Sequence, residues 1–419
     1  MPENWATAWT ASAQGPYPYG RETAQPDLSN VFPNPDRGAY SQSFRMIVRP
    51  DIWGAQARIR LSNAHGTMPI NFESVFVGHH LMSSAIFPHS NRQVSFKGSK
   101  KITIPAGHWH TSDPVELDFI KNTEDPLLAG QKLAVSFHIN GQSGPMTYHA
   151  KALQTSYLSH HNSGDFCASE EEIAFPYSTT SWFFLDALDM KMDKPAKVIL
   201  VFGDSISDGS GSTINGYDRW PDVVARRLNA KYGNRVSLIN QGIGGNQILG
   251  PQGNTFPEDR LGGISALDRL DRDVISMSAV STVIWLEGIN DLGFSNASSD
   301  DIFDGINQGV KIMRQKIPGV RVIGATLTSA LNATTSGHGR KTVDKHRRAF
   351  NERVRSTDIF DGIIDFDGVT IDINDGRLRP EMVPNSSIGG PGDLLHPNRI
   401  GYQAMGMAVN IDELLGKQN

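Results

Sequence analysis

A chain of 419 residues with a single cysteine is long enough for roughly two or three domains and a sizeable core, and a lone thiol forms no internal disulfide. Its net charge of -5, with mixed signs throughout, and the lack of any basic run interleaved with aromatics argue against a nucleic-acid partner. No apolar stretch approaches the ~20 residues needed to span a bilayer.

The opening Met-Pro-Glu-Asn-Trp has neither the basic nor the apolar segment of a secretory signal, which predicts a cytoplasmic protein, although a secreted chain trimmed of its leader reads the same. The first part then alternates. Ala55, Ala57, Ile59 and Leu61 are interleaved with Gln56, Arg58 and Arg60, and Leu133, Val135, Phe137 and Ile139 with Ala134, Ser136 and His138. A period of two predicts half-buried antiparallel strands. Shorter strands are expected at 75–77, 102–104 and 115–119, between Pro, Gly and Asn turn signals. The pattern predicts a jelly-roll-like β-sandwich domain over 1–190. The polar, proline-ended Met190-Lys-Met-Asp-Lys-Pro195 marks the boundary.

From 195 to 419 strands and helices alternate. Apolar runs at 198–202, 236–239, 282–286, 321–326 and 362–366 read as strands. Helical spacing holds for Val223, Val224, Arg227 and Leu228 behind Pro221, for Ile302 to Ile317, for Val343 to Val354, and for Tyr402, Met405, Val409 and Leu414. Such alternation predicts an α/β domain with a parallel sheet covered on both faces, its functional groups gathered at the strand C-terminal ends.

The chemistry concentrates at those ends. Val198-Ile-Leu-Val-Phe-Gly-Asp-Ser205 breaks at a glycine and presents a serine at once, as a strand delivering a nucleophile would, or as a strand whose serine caps the next helix. Asp393-Leu-Leu-His396, followed by Pro397, supplies the imidazole that would take a hydroxyl proton and the carboxylate that would hold the ring's tautomer. Between them lie Asn240-Gln-Gly-Ile-Gly-Gly245-Asn246, readable as a tight turn or as a bare backbone amide, and Gly288-Ile-Asn290-Asp291, whose asparagine is a capping residue or a side-chain donor. Amides of Ser205 and Gly245 with the Asn290 side chain would make an oxyanion hole. In this order, Gly203-Asp204-Ser205, Gly245, Gly288-x-Asn290-Asp291 and Asp393-x-x-His396 resemble the SGNH or GDSL hydrolase family, with Ile206 where many members carry leucine. The resemblance covers roughly the second half. It implies a three-layer, flavodoxin-like fold, Ser205 as nucleophile, His396 as base, Asp393 as its orienting carboxylate, Gly245 and Asn290 in the oxyanion hole, and ester hydrolysis with neither metal nor cofactor. Some longer members also carry a Trp-rich amino-terminal β domain, which Trp5-Ala-Thr-Ala-Trp9 resembles.

Asp208, Tyr217, Arg219 and Trp220 follow the serine closely and read either as a pocket wall or as capping and core residues. The pairs His79-His80, His108-x-His110 and His160-His161 read as surface histidines without a metal pattern. Asp372-Ile-Asn374-Asp375-Gly376 lacks the glutamate of a calcium loop. Residues 334–340 read as a surface loop that could form a mobile rim. Trp53, Trp109 and Trp182 read as sandwich core ahead of sugar platforms. The expected substrate is a small-molecule or carbohydrate ester with a short acyl group. A lipid-active acylhydrolase and a glycan-binding protein with a vestigial hydrolase domain are the alternatives.

Overall fold

The computed structural model describes residues 3–250, 261–335 and 337–416. These divide into two compact units. The first runs to Ala196 and includes Tyr232–Ser237, and the second comprises Lys197–Lys231 and the chain from Leu238 onwards. Among the described residues no helix is long and apolar enough to cross a membrane.

The first unit is rich in antiparallel strands. In one sheet Trp5–Thr10, Leu185–Lys191, Gln56–Ser62 and Val115–Glu116 lie side by side in that order. Leu185–Lys191 extends into the expected boundary segment because Met190 pairs with both Ala6 and Ala57. In a larger sheet Leu133–Gln142 sits between Tyr40–Val48 and Ile70–Met82. That strand departs from the half-buried expectation: every position from Leu133 to Ile139 is buried. The polar face of the alternation is covered by the irregular segment 164–175. Arg45, wholly buried, crosses it: Nε donates to Ser136 Oγ at 2.9 Å, Nη1 to the Ser84 carbonyl at 2.5 Å, and Nη2 to the Ser169 carbonyl at 2.5 Å. Its guanidinium lies 4.1 Å from the Phe175 ring centroid. Burial draws its pKa down to about 10, so it stays charged at neutral pH. Trp53 and Trp182 are core residues. Trp109 is half-buried and lines a pocket of about 380 Å³ with Phe96, Ile104 and His110.

In the second unit the strand order across the sheet is Val236–Gly242, Lys197–Gly203, Val280–Leu286, Arg321–Ala325, Gly362–Ile364. The last four are parallel, with Val201 opposite Ile284, Ile284 opposite Ile323 and Gly324 opposite Ile363. In chain order this is 2-1-3-4-5, so successive crossovers leave the first strand in opposite directions. Right-handed connections then place helices on both faces. The helices are α1 (Ser205–Asp208), α2 (Trp220–Tyr232), α3 (Ala266–Leu270), α4 (Ile289–Gly293), α5 (Ser299–Lys316), α6 (Lys341–Ser356), α7 (Phe366–Thr370), α8 (Arg399–Ala408) and α9 (Ile411–Leu414). Two elements differ from the sequence reading. The last strand stops at Ile364 because Asp365 caps α7, accepting the Gly368 N–H at 3.1 Å. The terminal helix breaks at Val409, where Arg227 Nη1 takes the carbonyls of Gly406 (2.6 Å) and Val409 (2.7 Å) and Asn410 starts α9.

Removing the Arg45 guanidinium strands several buried acceptors at once. Arg45→Ala is expected to lower stability by about 3 kcal/mol or more, read as a fall in denaturant midpoint by circular dichroism.

Candidate active site

The sheet's strand order reverses between Lys197–Gly203 and Val280–Leu286, and in open sheets of this kind ligands bind outside the carboxyl ends at such a switch point. Ser205 stands at the end of the first of these strands, as the first residue of α1. Gly203 is required there, since a Cβ would lie 2.4 Å from the Leu286 carbonyl oxygen. Asp204 caps the short helix by accepting the Ile206 N–H at 2.9 Å. The first N–H groups of a helix have no intrahelical acceptor.

Ser205 Oγ lies 2.8 Å from His396 Nε2, and His396 Nδ1 lies 2.6 Å from Asp393 Oδ2. An ionised carboxylate only accepts, so Nδ1 carries the ring proton and Nε2 offers its lone pair to the hydroxyl. Asp393 and His396 sit in one turn ahead of α8. Asp393 Oδ1 accepts the N–H groups of Leu395 (3.0 Å) and His396 (2.9 Å), with Leu394 in the left-handed region at φ 61°. Burial would raise the Asp393 pKa. The hydrogen bond and charge of His396 and the two backbone donors outweigh it and hold the carboxyl well below the usual range.

The glycine loop behind the second strand is pinned from several sides. Ile243 N–H bonds the Gly203 carbonyl at 3.0 Å, and Asp208 Oδ2 accepts the Gly244 N–H at 2.8 Å. Gly245 takes φ 86°, a conformation natural to glycine. Asn246 Nδ2 donates to the carbonyls of Gly262 and Ile264, each at 2.7 Å. Asn290, on α4, is 2% exposed. Its Nδ2 donates to the Asn246 carbonyl at 2.9 Å, which leaves the second N–H of that amide to other acceptors. Asp291 Oδ2 and Oδ1 accept the N–H groups of Ile248 (2.9 Å) and Leu249 (3.0 Å).

The residues named as a pocket wall differ in burial and partners. Trp220 is completely buried against Phe366, with ring centroids 5.0 Å apart, and belongs to the core. Asp208 is buried and engaged with the glycine loop. Tyr217 and Arg219 are half-buried, and the Tyr217 carbonyl accepts from Arg226. Of residues 334–340, Ser336 lies outside the described residues. His338, expected on the surface, is wholly buried and bonded to Asn290. Asp372 and Asp375 satisfy their own loop, accepting from Asn374 and Arg377. Among the described residues no cluster of three or more His, Cys, Asp or Glu is arranged to hold a metal ion.

Sequence reasoning missed Arg269. Fully buried, it donates from Nη2 to the Gly203 carbonyl (3.0 Å), from Nη1 to the Gln241 carbonyl (2.7 Å) and from Nε to Asn246 Oδ1 (2.8 Å). Asp273, one helical turn on, pairs with it at 3.2 Å. That i,i+4 spacing was the available signal. Beneath the same strand ends lie three buried acids. Burial raises Asp204 well above the carboxylate range, lifts Glu287 to about 7 against the pull of Arg269 and of the Trp285 indole, and lifts Asp291 to about 6 against its two backbone donors.

A serine, an imidazole and a carboxylate joined in this order at a sheet's carboxyl edge define a hydrolase-type site. Residues 201–404 match the GDSL-like Lipase/Acylhydrolase family, and this segment is a GDSL-like lipase/acylhydrolase domain. No curated protein matches the chain. Among solved structures it is similar to a carbohydrate acetylesterase family member from Sinorhizobium meliloti, at 16% identity over 53% of this chain and 100% of that one, TM-score 0.41. An inhibitor-bound aryl esterase of M. smegmatis is similar at 17% identity over 52% and 100%, TM-score 0.40. A GDSL-like lipase from Bacteroides thetaiotaomicron is similar at 16% over 52% and 87%, TM-score 0.37.

Glu287 gives the unit a pH signature. With a folded pKa of about 7 against an ordinary 4.5, the stability from burying it neutral is full below about pH 4.5 and lost as pH rises through 7. The Tm of Glu287→Gln relative to the parent should therefore climb between pH 4.5 and 7 and level off above, by scanning calorimetry.

Proposed function

We propose that the chain is a serine-dependent carboxylic ester hydrolase that works through an acyl-enzyme. The observation that carries this reading is the unbroken hydrogen-bond chain Ser205 Oγ, His396 Nε2, His396 Nδ1, Asp393 Oδ2, set in a segment that matches an acylhydrolase family. In this reading Ser205 Oγ attacks the ester carbonyl carbon as its proton passes to His396 Nε2. The carbonyl oxygen becomes an oxyanion held by the N–H groups of Ser205 and Gly245 and by Asn290 Nδ2. Asp393 stays ionised and steadies the imidazolium. His396 then returns the proton to the departing alcohol oxygen, leaving the acyl group on Oγ. Water, deprotonated by the same imidazole, releases the acid and restores the hydroxyl.

The substrate class follows the sequence reading: short acyl groups, among them acetyl esters of carbohydrates. We take the first unit, 1–190, as an accessory domain whose two main sheets face each other in a jelly-roll sandwich, and 195–419 as the hydrolase.

Ser205→Ala should abolish turnover of p-nitrophenyl acetate and the covalent labelling of residue 205 by a fluorophosphonate, mapped by mass spectrometry; wild-type turnover in that variant would end the proposal. Rates of the parent enzyme should fall as the acyl chain lengthens from acetate. Asn290→Ala should lower kcat by roughly 10² to 10³ while the protein still folds.

A further inference from the structure

The loop 331–340 joins the Arg321–Ala325 strand to α6. Its composition is that of a solvated turn, yet it delivers an imidazole with no exposed surface. His338 Nε2 lies 3.1 Å from Asn290 Oδ1. The protonation and orientation of this pair follow from one fixed partner. The Asn246 backbone carbonyl can only accept, so the end of the Asn290 amide facing it at 2.9 Å must be the NH2. The opposite end is then the oxygen, which also can only accept, and His338 must present an N–H from Nε2. Turning the amide over would set two oxygens together at Asn246 and break the bond to His338. The two partners together leave the amide one orientation.

The seat of the ring is built for this. At Gly293, on α4, a Cβ would lie 2.4 Å from His338 Cδ2, so only glycine lets the ring come this close to the helix that carries Asn290. Phe294 meets the ring edge-on, with centroids 4.5 Å apart. Gly337, at φ 86°, would meet the Gly293 carbonyl oxygen if it had a Cβ, and Arg340 Nη2 ties the loop to that same oxygen at 3.2 Å. Further along, Thr334 N–H donates to the Asp393 carbonyl at 2.9 Å. One short loop therefore touches both the asparagine and the turn that holds the carboxylate.

We infer that His338 is a positioning residue: its Nε2–H fixes the Asn290 amide so that the remaining Nδ2–H points at the developing oxyanion. This rests on the esterase reading above. His338 touches neither substrate nor nucleophile, and acts on the transition state only through Asn290.

The test is a mutant cycle on the full chain with p-nitrophenyl acetate. His338→Phe keeps a flat ring and removes the donor; its kcat should fall about tenfold or more, with KM within about twofold. His338→Gln, which can place an N–H near the lost Nε2, should keep most of kcat. On an Asn290→Ala background His338→Phe should cause little further loss, because the group it positions is gone. Normal kcat in a folded His338→Phe, or losses from the two substitutions that simply multiply, would overturn the inference. Should the phenylalanine variant not fold, His338→Ala carries the same expectation in the same cycle. The outcomes separate the two claims: full turnover in Ser205→Ala removes the esterase reading, whereas an inactive Ser205→Ala beside an unimpaired His338→Phe removes this inference alone.

Discussion

The geometry of the second unit depends on one buried cation. The Arg269 guanidinium reaches the carbonyl of Gly203 at the end of the first strand, the carbonyl of Gln241 near the end of the second, and the side chain of Asn246 in the loop between them and α3. Two of the partners stand close to a group of the site: Gly203 two residues before Ser205, Asn246 one residue after Gly245. A planar donor fork holds these three acceptors in a fixed relation, which a flexible ammonium would not do. Phe202 covers the guanidinium face at 4.0 Å from the ring centroid. Leaving such a charge without water is tolerable because Asp273 pairs with it at 3.2 Å and its other N–H groups meet these acceptors.

That arrangement brings an electrostatic conflict with it. Asp204 caps α1, Asp291 holds the chain at Ile248 and Leu249, and Glu287 accepts from the Trp285 indole at 2.9 Å. Each carboxylate is needed where it is as an acceptor, and burial favours the neutral form of all three, with neighbouring acids adding to the effect at Asp204 and Glu287. Asp393 is the contrasting case. It is only half-buried, and with two backbone donors and an imidazole aimed at it the ionised form wins. Asp291 and Asp393 each accept two backbone N–H groups, yet deep burial raises the first while the hydrogen bond and charge of the imidazole lower the second, and the acid that faces the imidazole is the one kept charged.

What the sequence made legible follows from locality. Strand ends that break at Gly203, Gly242 and Gly288 announce themselves because an apolar run gives way to residues permitting a sharp turn, and Ser205 and Asn290 stand just beyond two of those breaks. Asp393 and His396 are legible because three residues separate them. Arg269 and His338 are not, because an arginine on a short helix and a histidine in a glycine-rich loop have the composition of solvated residues; only contacts made across the sheet bury them. The first unit misleads in the same way. Alternation at 133–139 describes the strand correctly but says nothing of the irregular segment that covers its polar face, and Arg45 with Ser136 occupies the layer that period two assigns to water. The break at Val409 was hidden for the complementary reason, since the helical spacing continues across it while Arg227 captures the carbonyls from another helix.

A hydroxyl and an imidazole nearly two hundred residues apart cannot be aligned by the single bond between them, since that bond must break and reform. The chain on either side carries the alignment instead. After Ser205, the Gly211 carbonyl accepts the Ser386 N–H at 3.0 Å, the Ser212 carbonyl accepts the Ser387 hydroxyl, and the Ser210 carbonyl accepts the Tyr402 hydroxyl at 2.6 Å. At Gly211 a Cβ would lie 2.9 Å from the Pro397 carbonyl oxygen, one residue past the imidazole. The segments following the serine and flanking the histidine are thereby zipped together by contacts that take no part in proton transfer. Their rigidity lets the proton move between Oγ and Nε2 while both atoms keep their places, the condition under which positioning contributes to rate.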